Sequence, residues 1–186
     1  MKITLFTIFT FFTIVSSFSQ TQVAGAEFPE TFAVDETSLN LNGVGVREKF
    51  WIDLYAAGLY TSKRINDSET VINIDAPILI KIHIVSGLIS SDKMSSAVED
   101  GFEKSTQGNT SAYRAKIDKF KSFFSSEITK NDVFDITYSP SQGTVVFKND
   151  KKQGTIKGLD FKKALFGIWF SEKPADKDLK EDMLNS

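Results

Sequence analysis

The sharpest regularity in the chain has a period of two. In "ILIKIHIVS", Ile78, Ile80, Ile82 and Ile84 fall on one face, and Leu79, Lys81, His83 and Val85 on the other. Pro77 before the run and Gly87 after it punctuate a strand. Upstream, Leu39, Leu41, Gly43 and Gly45 alternate with Asn40, Asn42, Val44 and Val46, and Phe50 to Tyr60 is a second extended run. Val71 to Ile74 reads as a further, short extended piece. The β signal thus covers Glu27 to Val85.

Helical spacing follows. Ser90 or Ser91 suits an N-cap, and Met94, Ala97, Val98, Gly101 and Phe102 recur as one apolar stripe. "TQGNT" interrupts it. Asn109 or Thr110 can then cap a second helix with Tyr113, Ile117, Phe120 and Phe124 on one side. Strands return at Val133–Tyr138 and Thr144–Lys148, joined through "SPSQG", and "NDKKQG" reads as a second hairpin turn into Thr155–Lys157. Asp160 is the expected cap of a helix over Phe161–Phe170, apolar nearly all round and therefore buried. Pro174 ends that element, and Asp176 opens a last amphipathic helix with Leu179 and Met183 inward. Strands, two helices, hairpins and further helices define an α+β domain. Its short hairpin links favour an antiparallel sheet covered by helices on one face.

Composition changes the picture first at the N-terminus. Met1 and Lys2 precede an uncharged stretch from Ile3 to Val15, with small residues at Ser16, Ser17 and Ser19. This is the layout of a secretory signal peptide over residues 1–19, too short for a membrane span of about 20 apolar residues. Export to the periplasm or beyond is the expectation, with no stable membrane anchor once the signal is cut. Among 186 residues there is no cysteine, so disulfides and thiol chemistry are excluded and the core alone must hold the domain. The net charge is −2, with both signs interspersed, which disfavours nucleic acid as a partner. "DKDLKED" and "NDKKQG" read as solvated surface.

Several chemistries have no foothold. One histidine, His83, excludes a multi-His metal site, and no metal or other cofactor is expected. "NGVGV" has two glycines but no helix after it, which makes a poor nucleotide loop. A Ser–His–Asp arrangement through His83 has no serine placed beside it. His83 fits half-buried packing, although it shares a face with Lys81 that would suit a cleft wall.

The odd residue is Arg47, within a stretch otherwise patterned for burial. One reading is exposure, or an ion pair with Glu48 or Asp53. The other is an anion anchor: a guanidinium grips a carboxylate through two hydrogen bonds, and a nearby tyrosine hydroxyl adds a third. With apolar neighbours, that set suits a small hydrophobic ligand bearing a carboxylate. Arg47 and Tyr55 are eight residues apart, about 26 Å in one straight strand. They meet only if the chain turns near Glu48–Phe50. Tyr60 lies further along the same run.

"GVGVREKFWIDLYAAGLY" resembles the chalcone isomerase-like family, in which a G-x-G-x-R strand leads into one ending in A-x-G-V/L-Y. "IHIVSGLISSDKMSSAVEDGF" and "FKKALFGIWFSEKPADKDLKEDML" resemble its central strand–helix and its closing helices. The resemblance spans Gly25 to Leu184 and implies one domain over residues 25–186: an open-faced β-sandwich, a large antiparallel sheet with helices on one side enclosing a cleft. It implies either ring-closing isomerase (intramolecular lyase) chemistry without a cofactor or, as in non-catalytic members, fatty-acid binding. The family's cleft arginine falls on Arg47, and the threonine of T-A-x-G-V-Y on Tyr55, where fatty-acid-binding members place a tyrosine. The catalytic tyrosine falls near Lys93, the following asparagine on Asp100 and the late-helix threonine on Ala164. Only the arginine of the catalytic set survives, and Asp100 would repel an anionic substrate. The expectation is therefore a non-catalytic binder of a fatty acid or similar amphiphile. The alternatives are an isomerase on an unknown substrate and an envelope interaction module whose cleft is filled by side chains.

Overall fold

The computed structural model describes residues 20–185; the expected signal peptide lies outside the described residues. Nine strands occur among them: β1 (Gln20–Val23), β2 (Ala26–Pro29), β3 (Thr31–Val34), β4 (Thr37–Lys49), β5 (Ile52–Thr61), β6 (Ile78–Ile84), β7 (Val133–Ser139), β8 (Gly143–Lys148) and β9 (Lys151–Ile156). The helices are α1 (Ser68–Asn73), α2 (Ser91–Ser105), α3 (Arg114–Ser122), α4 (Leu159–Phe170) and α5 (Lys177–Asn185). Strands β3 to β9 form one antiparallel sheet in chain order, and β1–β2 is a separate hairpin. Even the connections that carry helices, β5 to β6 and β6 to β7, return to an adjacent antiparallel place.

Each face of the sheet has its own core. Ile78, Ile80, Ile82 and Ile84 join Tyr55, Ala57 and Leu59 beneath the helices, with Phe102, Phe120, Phe161 and Phe166 above them. Leu79, Ala56 and Tyr60 face the other way, against Phe28 of β2 and Val34 of β3. The sheet is thus an open-faced sandwich with helices on one side, as the period-two and period-3.6 patterns require.

One residue sets which side of β4 faces the helices. The β4–β5 register shifts between Leu41 and Gly43, leaving Asn42 as a bulge. Before it, Leu39 and Leu41 face the outer core; after it, Val44 does. The bulge therefore reverses the parity of the strand, and Gly43, Gly45 and Arg47 turn toward the helices. The buried Asn42 amide is fully satisfied. It donates to the carbonyls of Ile65 (2.8 Å) and Met183 (2.9 Å), and its oxygen accepts from the Ile65 N–H (2.8 Å) and the Thr61 hydroxyl (3.2 Å). Beyond it, α5 lies so close that a Cβ on Gly43 would stand 2.3 Å from the Asp182 carbonyl oxygen. The two glycines of "NGVGV" are thus a seat for a helix.

Three local expectations change. Val71–Ile74 is not extended: Asp67 caps α1 by accepting from the Thr70 N–H (2.8 Å), and Val71 is buried under α4. The three carbonyls of Val71, Ile72 and Ile74 at its end accept from the buried Lys162 ammonium at 2.6 to 3.0 Å, while burial draws that group down to about 7. The second hairpin turn is only Asn149–Asp150, both at positive φ, so all of "KKQG" is strand. Asp160 is not the cap of α4: Gly158 precedes the helix, and Asp160 sits in its first turn, paired with Lys116 at 2.7 Å. Asp176 does cap α5, accepting from the Leu179 N–H.

Gly43→Ala is expected to lower unfolding stability by about 3 kcal/mol in urea titration, because the carbonyls of α5 cannot yield. Gly87→Ala, whose Cβ meets open space, should change it by about 0.5 kcal/mol in the opposite direction.

Candidate functional site

The turn required between Arg47 and Tyr55 is present. β4 and β5 are joined by the two-residue turn Phe50–Trp51, and Arg47 pairs directly with Tyr55 across the hairpin. The guanidinium carbon lies 5.7 Å from the Tyr55 ring centroid. Arg47 is half-buried and has no ion pair with Glu48, Asp53 or any other described residue. Tyr55 is 4 % exposed, and its hydroxyl accepts from the Trp169 indole N–H at 2.9 Å. The partners of the hydroxyl among the described residues, Trp169 and the adjacent Arg47 guanidinium, can only donate to it, so the phenolic proton remains to be donated. Burial pushes the Tyr55 phenol up from its ordinary range, and Arg47 pulls it only partly back. The group is therefore a neutral donor at pH 7.

Both residues line a cleft of about 620 Å³ between the β4–β5 hairpin and α2. Leu54, Ile89, Met94 and Ala97 supply apolar wall; Lys93, Asp100 and Lys104 stand on the α2 side. The stripe predicted for α2 divides between two tasks. Val98 and Phe102 are buried in the core, whereas Met94 and Ala97 are half-buried because they face the cleft. Gly101 lets α2 close on α4, where a Cβ would stand 2.8 Å from Ile168. A larger hollow of about 840 Å³ lies between α1 and the ends of α2 and α4; its walls carry Glu69, Glu103, Gln107 and Lys173, and its half-buried Lys180 ammonium already donates to the Ser171 carbonyl (3.0 Å).

Of the six residues expected at the site, four meet here: Arg47, Tyr55, Lys93 and Asp100. Lys93 and Asp100 are exposed, and the Lys93 ammonium donates to the Leu88 carbonyl (2.9 Å). Tyr60 and Ala164 are corrections. Tyr60 is five residues from Tyr55, so strand alternation sends it to the outer face, where its hydroxyl donates to the Pro29 carbonyl (2.9 Å). Ala164 is buried in the helical core, away from the cleft. His83 is no cleft wall either. It packs on the outer face against Phe28, ring centroids 4.9 Å apart, while Lys81 pairs with Asp135 at 2.7 Å. Sequence reasoning missed Trp169, Leu54 and the rim residues Phe50, Ile52 and Leu88; the aromatic pair at a two-residue turn was the available signal.

The profile of the chalcone isomerase-like family matches residues 20–185 of this chain, and the chain belongs to that family. A search of the curated proteins finds no match. Among solved structures, the chain is similar to a fatty-acid binding protein of Arabidopsis thaliana. The identity is 20%, the TM-score 0.70, and the match covers 89% of this chain and 96% of that one. At that identity the likeness concerns the fold.

Burial, and then the Lys81 charge, hold the His83 imidazole down at about 4, below its ordinary 6.5. Above pH 6.5 it is neutral in both folded and unfolded chains. Between 6.5 and 4 the unfolded chain binds the proton and the folded one does not, so stability should fall as pH drops through this window. His83→Phe is expected to flatten that part of a stability-against-pH curve.

Proposed function

We propose that the protein is a non-catalytic carrier or store for a fatty acid or similar amphiphile, held in the cleft with its carboxylate on Arg47 and Tyr55. The observation that carries this reading is a half-buried guanidinium without a counter-ion among the described residues, beside a buried phenol whose proton finds no acceptor among them. Holding a cation partly out of water without an anion is unfavourable, and a carboxylate supplied by a ligand would offset that cost. Arginine offers a two-toothed fork and Tyr55 a further donor. The apolar wall of Leu54, Ile89, Met94 and Ala97 would take the hydrocarbon body. The cleft volume falls in the usual range of about 300–1,000 Å³ for small-molecule sites. The family and the fatty-acid binding neighbour support a hydrophobic ligand.

Isomerase chemistry is less well supported. Ring closure needs donors where enolate charge develops. Asp100 brings a carboxylate to the cleft wall, and Lys93 is engaged with Leu88. The side-chain-filled module is disfavoured by the open cleft. Export to the periplasm or beyond belongs to the same proposal; its support is the charge and hydropathy pattern of residues 1–19.

Native mass spectrometry of protein purified from cells is expected to show a co-purifying lipid-sized mass. Titration with a fluorescent fatty acid should show Arg47→Ala weakening binding by about ten- to a hundredfold (~1.5–3 kcal/mol). Unfolding stability without ligand should stay nearly unchanged, because no ion pair is broken. Equal affinities for wild type and variant would remove the reading.

A further inference from the structure

The β4–β5 turn is built from two large aromatics in a backbone conformation that suits neither. Phe50 and Trp51 have φ of 55° and 60°. Two-residue hairpins of this kind favour Asn, Asp or Gly, and the chain uses Ala24–Gly25 and Asn149–Asp150 at two other turns with both residues at positive φ. Phe50 is 78 % and Trp51 91 % exposed, and Ile52 and Leu88 beside them are also open to solvent. Phe50, Ile52 and Leu88 are at the same time rim residues of the cleft. The largest exposed apolar side chains among the described residues thus gather at one point, the mouth of the proposed ligand site.

We infer that this tip is a reversible membrane-docking element, which inserts into a bilayer surface and opens the cleft directly to lipid. The inference rests on the carboxylate-capture reading for the identity of what passes through the mouth. Three observations select a bilayer over a protein partner. The exposed patch offers roughly 500 Å², short of the about 800 Å² per partner that a stable dimer buries. It is a protruding point, with Trp51 at its apex, and a point suits a deformable fluid surface. Aromatic side chains favour the bilayer interface. The charges around the mouth also balance. Lys49, Lys93 and Lys104 stand against Asp53, Asp92 and Asp100, and Arg47 and Glu48, neighbours in sequence without an ion pair, cancel in the local sum. Docking therefore runs on apolar insertion, and anionic lipid is not required.

The test uses the full chain, phosphatidylcholine vesicles with brominated acyl chains, and tryptophan emission. The chain has two tryptophans. Trp169 is buried, and residues 1–19 contain none, so quenching reports Trp51. The expected result is a shift to shorter wavelength and loss of about half of the emission on brominated lipid, at low and high salt alike. Trp51→Ser, which leaves every cleft-lining side chain in place, should bind cis-parinaric acid from solution as wild type does, yet withdraw it from vesicles about tenfold more slowly. Arg47→Ala should keep the quenching and lose the fatty acid. Unchanged Trp51 emission on vesicles, with fatty acid still bound in solution, would overturn the docking and leave carboxylate capture standing. Trp51 emission already shifted before vesicles are added would assign the tip to a second copy or to residues 1–19, and would overturn it as well; sedimentation distinguishes the two. Quenching without any uptake of fatty acid supports the docking and removes the ligand reading instead.

Discussion

A single extra residue in β4 decides what the sheet can do. With unbroken alternation, Leu39, Leu41, Gly43, Gly45 and Arg47 would share one face, and that face is the outer one. Arg47 would then lie on the side occupied by the Lys81–Asp135 pair, facing away from the cleft. The Asn42 bulge removes one step from the count, and four hydrogen bonds fix it to β5, to the segment after it and to α5. Because every polar atom of that buried amide is satisfied, the irregularity is a specified feature of the fold and not a slip in register. Two consequences follow together. The glycine pair turns inward to admit the α5 backbone, and two residues later the guanidinium turns inward to the cleft.

The rest of the site depends on how the helices leave the β4–β5 hairpin uncovered. α5 closes over Gly43 and Gly45, α2 leans on α4 at Gly101, and the gap between them is walled by the half-buried side of α2. Trp169, anchored in the long buried helix α4, reaches Tyr55 and takes up one lone pair of its hydroxyl. That contact makes the phenol a committed acceptor on one side and leaves it a free donor on the other. Arg47 and Tyr55 thus gain their orientation from elements distant in sequence, while the strained turn beyond them carries aromatics into solvent. Each non-glycine residue in such a left-handed conformation costs about 1–2 kcal/mol.

Much of this was legible in the sequence, and the losses have physical reasons. Ile78–Ile84 and the α2 and α5 stripes follow from period alone, because burial on one side enforces it. The need for a turn near Glu48–Phe50 follows from strand rise and the distance between Arg47 and Tyr55. Tyr60 was misplaced although its odd separation from Tyr55 carried the answer. α1 was lost because six residues are too few to establish a helical period, and its Asp67 cap was the better signal. Lys93 and Asp100 were found only through family resemblance, since an exposed charge on a helix has no distinguishing pattern. The Asn42 bulge had no reliable mark: an asparagine in a strand reads as an outward polar position until the partners of its amide are known.

The central claim is that Arg47 and Tyr55 bind an ionised carboxylate. It is tested most directly by carbon-13 NMR of a fatty acid labelled at its carboxyl carbon and bound to the intact chain. The guanidinium and the phenolic donor predict a bound resonance that stays in the ionised position well below the ordinary carboxyl pKa of about 4, and that loses this protection in Arg47→Ala. A bound carboxyl that titrates as it does in water, in wild type and variant alike, would contradict the account.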